Sequence, residues 1–153
     1  ITPLERYAIW VDNTYWNRSN LDHSSPQAIA QIYLDIVNAI KPDLTIVDFS
    51  IGLEGDGPTT GSGGNPVNMQ ERLGSWLVLA STDIMAADAT TARVMNYDVN
   101  DVVQLQLGYD MGLGEIKKDS IEIIGSRIED VRVDWEQATL RNQLSKHNLA
   151  LSI

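Results

Sequence analysis

The sequence contains no cysteine among its 153 residues. This excludes disulfide bonds, thiol nucleophiles and thiolate metal sites, so the chain has no cysteine with which to hold an iron–sulfur cluster of its own. The absence leaves the cellular compartment undetermined, and we favour the cytoplasm. No apolar run approaches the roughly 20 residues that a membrane-spanning helix requires. We therefore predict no membrane span.

Basic residues are also scarce. There are 11 lysines and arginines against 21 aspartates and glutamates, which gives a net charge of −10 at pH 7. Such a field repels the phosphate backbone of nucleic acids, and no basic stripe counteracts it. We therefore predict that neither a nucleic acid nor an anionic membrane surface is a partner. Cations, basic proteins and neutral small molecules remain as candidate ligands.

Apolar residues make up 43% of the chain, which is enough for a hydrophobic core at this length. By surface scaling, a domain of this size buries roughly 68–70% of the surface that its unfolded chain exposes. We predict one domain over residues 1–153. Because the chain begins at Ile1 rather than at methionine, we expect it to be a piece of a longer protein.

Strand-like and helix-like segments alternate along the chain. Apolar and β-branched runs predict strands over 7–11, 44–47, 76–80, 121–125 and 128–133, the third of them covered on both faces. Helical spacing of apolar residues predicts helices over 26–40, 84–95, 102–111 and 135–146. The alternation predicts an α/β fold, in which helices pack on a layered open sheet that is largely parallel or mixed.

Capping residues mark several helix ends. Ser25 and Pro26 are typical of an N-cap and first turn, and Pro42 ends the same helix. Asp83 is the expected N-cap of the second helix, which competes with any ligand role for this side chain. Asn100 and Asp101 are expected to cap the third helix.

The predicted strand at 44–47 leads into Asp48 and a loop rich in glycine. Buried strands that end in flexible loops are where open α/β sheets build ligand sites. We therefore predict a site for a cation or small ligand at this loop. The predicted ligand-binding residues are Asp48, Gly55, Gly57, Thr59, Gly61 and His23. For His23, which follows Asp22, a structural role is the alternative.

The glycine spacing does not match a nucleotide fingerprint. The pattern GxGxxxG at 55–61 is one residue too long for a dinucleotide loop, and no helix is predicted to open directly after it. The pattern GxxxxGK[ST] is absent. We therefore predict no nucleotide site of either type.

Two carboxylates lie in the loop, at Glu54 and Asp56. In extended backbone their side chains would share a face, roughly 6–7 Å apart. At an effective dielectric constant near 20 the two charges would repel by about 2–3 kcal/mol. A cation between them, a proton on one of them, or full exposure to water would relieve this. Oxygen ligands suit Mg²⁺ or Ca²⁺, whereas a solvated turn at 56–58 is the alternative.

Asp88 is a third candidate metal ligand. It lies among small apolar residues, in MAADA, where a helix is expected to pack. A charge buried there costs several kcal/mol unless it is paired or hydrogen-bonded. Arg93 is five residues away, which is not a pairing position on a helix. The alternative is that this helix face is exposed to water.

Several segments, in this order, resemble the C-terminal half of the proteins described as domain of unknown function 362. They are PDLTIVD at 42–48, EGDGP at 54–58, LASTD at 79–83, GLGE at 112–115 and IEIIG at 121–125, with Ala86 and Asp88-Ala89 between them. The resemblance runs from about 25 to 133. Members of the family often carry a histidine a few residues before the first helix, where His23 stands.

The resemblance implies a prokaryotic protein of a redox-associated or metal-linked group, because many members also carry ferredoxin-type segments rich in cysteine. This chain departs from the family in having no cysteine, in lacking the usual N-terminal half, and in having Ile84 where a proline is usual. The partners implied are the missing N-terminal half or a ferredoxin-type domain.

Two functional hypotheses follow. In the first, the chain is an α/β domain of a redox-associated enzyme that binds a divalent cation or small ligand at the acidic loop. The ligands would be Asp48, Glu54, Asp56 and Asp88, with backbone amides of Gly55, Gly57 and Gly61 as donors. In the second, it is a non-catalytic interaction or scaffold domain that docks a partner domain.

Overall fold

A computed structural model of the chain describes residues 25–56 and 60–138. Helices and strands are both present, which confirms the α/β class. The elements are α1 (Pro26–Ile40), β1 (Thr45–Asp48), β2 (Ile51–Gly55), β3 (Gly64–Asn68), α2 (Met69–Leu73), β4 (Val78–Ser81), α3 (Ile84–Val94), α4 (Val103–Asp110) and α5 (Ile128–Val131). In these residues, no helix has both the length and the hydropathy that a membrane span needs. The predicted strand at 7–11 lies outside the described residues.

Helix α1 begins and ends where its sequence signals predict. The Ser25 hydroxyl accepts a hydrogen bond from the Ala28 amide at 3.1 Å, and Lys41 closes the helix in the left-handed conformation, with φ of 50°. Ile32 and Leu34 are buried, and the helix packs against α4. Other apolar residues of α1 remain exposed, such as Ile40 at 69%, because α4 covers a narrow stripe of the helix.

The strands form two antiparallel pairs. Strand β1 pairs with β4, with Thr45 opposite Ser81 and Asp48 opposite Val78, and β2 forms a hairpin with β3. A largely parallel or mixed sheet is therefore not confirmed in the described residues. The connection from β1 to β4 contains the hairpin and the five-residue helix α2, and it is long enough for either strand direction.

The β1–β4 sheet is covered on one face. Val47 and Leu79 point inward and pack against a core cluster that includes Phe49 and Val94. The alternate residues of β1 and β4 face outward, and Val78 is 63% exposed. The prediction that 76–80 is covered on both faces was therefore wrong for the described structure, because helix α3 supplies a second layer on the inner side alone.

Helices α3 and α4 form most of the remaining core. Alanines at 86, 87, 89 and 92 of α3 are buried, which allows close packing against its neighbours. The predicted cap of α4 was wrong. Asn100 and Asp101 lie in a 3₁₀ turn (Val99–Asp101) that Asp98 caps, and α4 begins at Val103 without a side-chain cap. Gly112, with φ of 69°, lies just beyond its C-terminal end, where glycine favours the left-handed conformation.

The C-terminal part of the described chain differs most from prediction. Residues 121–125 form no strand, and Ile124 is 88% exposed. Residues 128–131 form the short helix α5 instead of a strand. Residues 135–138 are not helical, and the rest of the predicted helix at 135–146 lies outside the described residues. Apolar alternation favours extended backbone, but a strand also needs a partner to accept its hydrogen bonds.

Asp83 ties the start of α3 to a distant loop. One carboxylate oxygen accepts hydrogen bonds from the amides of Met85 at 2.8 Å and Ala86 at 3.0 Å, which confirms the predicted N-cap. The other oxygen accepts from the Glu115 amide at 2.8 Å. Gly114 leaves the space that this carboxylate fills, because a Cβ at Gly114 would overlap it.

Substitution Gly114→Ala should therefore destabilise the protein. We expect a loss of about 1–3 kcal/mol in the free energy of unfolding, because the added methyl group displaces a carboxylate held by three amides. Chemical denaturation measures it. In a double-mutant cycle with Asp83→Ala, the two effects should be less than additive by at least about 0.5 kcal/mol, since Asp83→Ala removes the group that clashes. Strict additivity would contradict the proposed overlap.

Candidate functional site

The β2–β3 hairpin carries the acidic, glycine-rich loop. Gly55 and Gly63 flank its tip with φ of 75° and 98°, in the left-handed region that favours glycine. Gly52 serves a different purpose, since the Trp135 ring occupies the place of a side chain there. The predicted ligand residues Gly57 and Thr59 lie outside the described residues, as does His23, and their roles stay predictions.

Glu54 is held by an arginine that the sequence analysis did not consider. The Arg72 guanidinium donates two hydrogen bonds to the Glu54 carboxylate, at 2.9 and 2.5 Å. The Glu136 amide donates a third, at 2.9 Å. Arg72 also donates to the carbonyl of Asp134 at 3.1 Å. This ion pair therefore joins the hairpin, helix α2 and the segment around 134–136.

The electrostatics of Glu54 follow from these contacts. The hydrogen bonds from Arg72 lower the pKa of the Glu54 carboxyl, burial opposes them, and the Glu136 amide lowers the pKa further. The pKa of Arg72 is raised in turn by its bonds to Glu54. Glu54 is thus ionised and 9% exposed, and its charge is compensated from within the chain. A cation at Glu54 would compete with this pair.

Glu136 brings a further acid to the same loop. Its carbonyl accepts the Gly55 amide at 3.0 Å, so this amide is already used and is not free for a ligand. Its carboxylate accepts a hydrogen bond from the Asn65 side chain at 3.2 Å. Asp56 is half-buried near Gly63 and has an interaction partner of its own.

Asp48 and Gly61 lie at the surface. The Asp48 carboxylate accepts hydrogen bonds from the Ser50 amide at 2.7 Å and the Ser50 hydroxyl at 3.0 Å, which shapes the turn between β1 and β2. Gly61 is exposed in a 3₁₀ turn (Thr60–Ser62). Their geometry supports a role in the local turns, and ligand binding by either residue stays a prediction.

Asp88 lies on α3 and is exposed to solvent on one side. Partial desolvation by the protein around it raises the pKa of its carboxyl. It makes no hydrogen bond or ion pair with another described residue. Within 25–56 and 60–138, no cluster of three or more His, Asp or Glu side chains could hold a metal ion. The described structure therefore does not gather Glu54, Asp56 and Asp88 into one site.

An apolar surface lies on the opposite side of the β1–β4 sheet from α3. We define the outer sheet face as Leu44, Ile46, Trp76 and Val78, whose exposed fractions are 57%, 63%, 53% and 63%. Residues two apart in extended backbone point to the same side, and the register places Ile46 and Val78 diagonally across the strand pair. A patch of large apolar side chains on one face is typical of an interaction surface.

A groove of about 350 Å³ runs along β4 and α3. It is lined by apolar and hydroxyl side chains, among them Leu77, Thr90 and Ile123. None of the predicted site residues that the structure describes lines it. The groove was not predicted, because residues 121–125 were expected to form a strand of the sheet, whereas in the structure they lie at the surface.

The Glu54–Arg72 pair can be tested by substitution. Glu54→Gln should lower the free energy of unfolding at neutral pH by roughly 1.5–3 kcal/mol, with part of the pair screened because Arg72 is one-third exposed. Because the folded-state pKa is depressed, the stabilisation is present above the unfolded-state pKa, about 4.3, and is lost as pH falls through the folded-state pKa.

Urea denaturation of both proteins across pH 3 to 7 measures this difference. The exposed Glu122→Gln is the matched control and should change stability by no more than about 0.5 kcal/mol at any pH. A Glu54→Gln protein as stable as the parent at pH 7 would show that the pair contributes nothing.

Comparison with protein-family models gives a match to residues 10–93, more than half of the chain, for the family described as domain of unknown function DUF362. The matched residues include α1, the acidic loop, Asp83 and Asp88, whereas GLGE at 112–115 lies beyond them. Assignment to the C-terminal half of the family's proteins stays a prediction. The comparisons with curated proteins and with solved structures gave no match. The family match suffices to place the protein: the chain belongs to the DUF362 family.

Proposed function

We propose that this chain is a docking domain, which binds a partner protein through the outer sheet face. The observation that carries the proposal is the exposure of Ile46 and Val78 on one side of a two-stranded sheet, with Leu44 and Trp76 just before the two strands. Each of the four is more than half exposed. Burying side chains of this size contributes roughly 1.5–3 kcal/mol each. Such a face therefore favours association with another apolar surface.

The layering of the fold supports this function. Domains are built from at least two packed layers, so that an apolar sheet face is covered by another element. A sheet of only two strands is marginally stable unless it packs against such an element. Helix α3 covers the inner face through Val47 and Leu79, while none of the described residues buries the outer face. The outer face is thus where a further layer would add most burial.

The occupant that we propose is the N-terminal half of the family's domain. The resemblance implies that this half is a separate part of the family's domain, outside residues 1–153. Asp48 lies on the same side of β1 as Ile46, directly opposite Val78, and is exposed, and the chain carries a net charge of −10. The complementary surface would therefore be apolar, with a basic group placed against Asp48. If the complex has a redox function, the partner would hold the iron–sulfur cluster, because this chain has no cysteine to bind one.

The test uses the N-terminal half of a family member that contains both halves, expressed separately and mixed with this chain. We expect a complex by sedimentation velocity and calorimetry, and Ile46→Lys should weaken it at least about tenfold, because it places a charge at the centre of the contact. Ile124→Lys is the matched control. Ile124 is 88% exposed and lies outside the outer sheet face, so that variant should bind normally.

Three results would contradict the proposal. The first is the absence of a complex with the parent chain. The second is an equal loss of affinity in Ile46→Lys and Ile124→Lys. The third is a stable self-dimer that Ile46→Lys dissociates, which would assign the face to a second copy of the chain.

A cation site is the second candidate function, and Asp88 is the observation that favours it. Carboxylates whose pKa is raised and that lack a described partner are enriched at functional sites. A divalent cation such as Mg²⁺ or Ca²⁺ would stabilise the ionised form. The remaining coordination would be supplied by water or by a partner, because the described structure does not bring Glu54 or Asp56 together with Asp88.

Asp88→Asn tests this alternative. Because the pKa of Asp88 is raised in the folded state, ionisation of this carboxyl is less favourable in the folded protein than in the unfolded chain. The variant should be as stable as the parent or more stable, by up to about 0.5 kcal/mol, and the difference should vanish as pH falls below about 3.9. Thermal denaturation at pH 3 to 7 measures it.

The same proteins are then titrated with Mg²⁺ and Ca²⁺ by calorimetry. A site at Asp88 requires binding by the parent that Asp88→Asn loses. Asp110→Asn, which removes an exposed acid of α4, should retain that binding. The absence of a binding signal with both Mg²⁺ and Ca²⁺ would exclude the cation site and would not bear on the docking function.

A further inference from the structure

A cavity of about 430 Å³ lies between the end of α3, the 3₁₀ turn at Val99–Asp101 and the segment at 116–118. Its size falls in the range of small-molecule sites. Its polar lining includes Arg93, Lys117, Lys118, Asp98 and Tyr109. Three cationic side chains therefore face one acidic side chain here, in a chain where acids outnumber bases by 21 to 11.

The acid of this cavity is already engaged. One oxygen of the Asp98 carboxylate accepts hydrogen bonds from the amide and the side-chain nitrogen of Asn100, at 2.9 and 3.0 Å. It caps the 3₁₀ turn and forms no ion pair with a cation of the cavity in the described structure. Asp98 therefore does not neutralise Arg93, Lys117 or Lys118 at contact distance.

Arg93 is the half-buried cation of the cavity. Its guanidinium donates a hydrogen bond to the Ile116 carbonyl at 2.5 Å, which fixes its position and leaves other N–H groups for a ligand. Desolvation lowers its pKa, and the nearby charge of Asp98 offsets this in part. No carboxylate in residues 25–56 and 60–138 pairs with it. An anion placed here would offset the desolvation of the guanidinium.

Two lysines complete the positive side of the cavity. The Lys117 ammonium lies 4.9 Å from the centre of the Tyr109 ring, a cation–π contact. The contact with Tyr109 raises the pKa of Lys117, and the nearby charge of Glu115 raises it further, but Lys117 forms no direct ion pair with a described carboxylate. Lys118 pairs with Glu129 at 3.0 Å, but both side chains are more than half exposed, so the pair is weak. A ligand could therefore recruit Lys118 at little cost.

We infer that this cavity binds a small organic anion, whose phosphate or carboxylate group is held by Arg93 and Lys117. A guanidinium can bind two oxygens of either group at once, while an ammonium acts as a point charge. A phosphate and a carboxylate group both present negatively charged oxygens to these two side chains. The body of the ligand would lie against Tyr97 and Tyr109, which also line the cavity.

The experiment titrates the full chain with sodium phosphate and, separately, with sodium succinate, at constant ionic strength, by two-dimensional ¹H–¹⁵N NMR. We expect saturable shifts that include the amides of Asn100, Lys117 and Lys118, and the stronger of the two titrations identifies the oxyanion. Lys117→Gln should weaken the affinity by about tenfold. Arg132→Gln, which removes an exposed cation outside the cavity, should leave it unchanged.

Either of two results would overturn the inference. One is the absence of saturable shifts with both anions, or shifts that map elsewhere. The other is an equal loss of affinity in Lys117→Gln and Arg132→Gln, which would mean that the anions respond to the general field of the protein rather than to this cavity.

Discussion

The ion pair between Glu54 and Arg72 is the interaction on which the acidic hairpin depends. It links β2 to α2, and through the Glu136 amide it holds the segment that places Trp135 against Gly52. A carboxylate buried to this extent needs a charge partner, and the chain supplies one internally. The pair therefore changes the functional argument, because it removes the strongest reason to expect a cation at Glu54.

Because Arg72 compensates the charge of Glu54, the groups that still lack a favourable contact in the described structure lie elsewhere. Ile46 and Val78 are apolar side chains left in water on a sheet that is packed on its other side. Arg93 is a partly desolvated cation without a described carboxylate partner. We propose that a protein surface covers the apolar side chains and that an anion pairs with Arg93. The two sites are lined by different residues, so a docking domain of this kind could also bind a small ligand.

The sequence-based predictions were correct where the interaction joins residues close together in the chain, and they failed where it joins distant ones. Ser25 and Asp83 cap their helices as predicted, because a cap depends on amides two or three residues away. Residues 121–125 have the composition of a strand but form none, since a strand needs a partner from elsewhere in the chain. The antiparallel pairing of β1 with β4 could not be predicted either, because strand composition does not specify direction.

Sequence by itself determined the α/β class, the helices around residues 26–40 and 84–94, the acidic balance of charge, and the family resemblance that the comparison confirmed. These depend on composition, on local backbone preference and on the order of short motifs. Tertiary structure decided that Arg72 neutralises Glu54, that Asp88 does not join Glu54 and Asp56, and which sheet face is bare. The reason is physical: charge compensation and burial depend on distances between side chains far apart in the chain, and those distances exist only once the chain has folded.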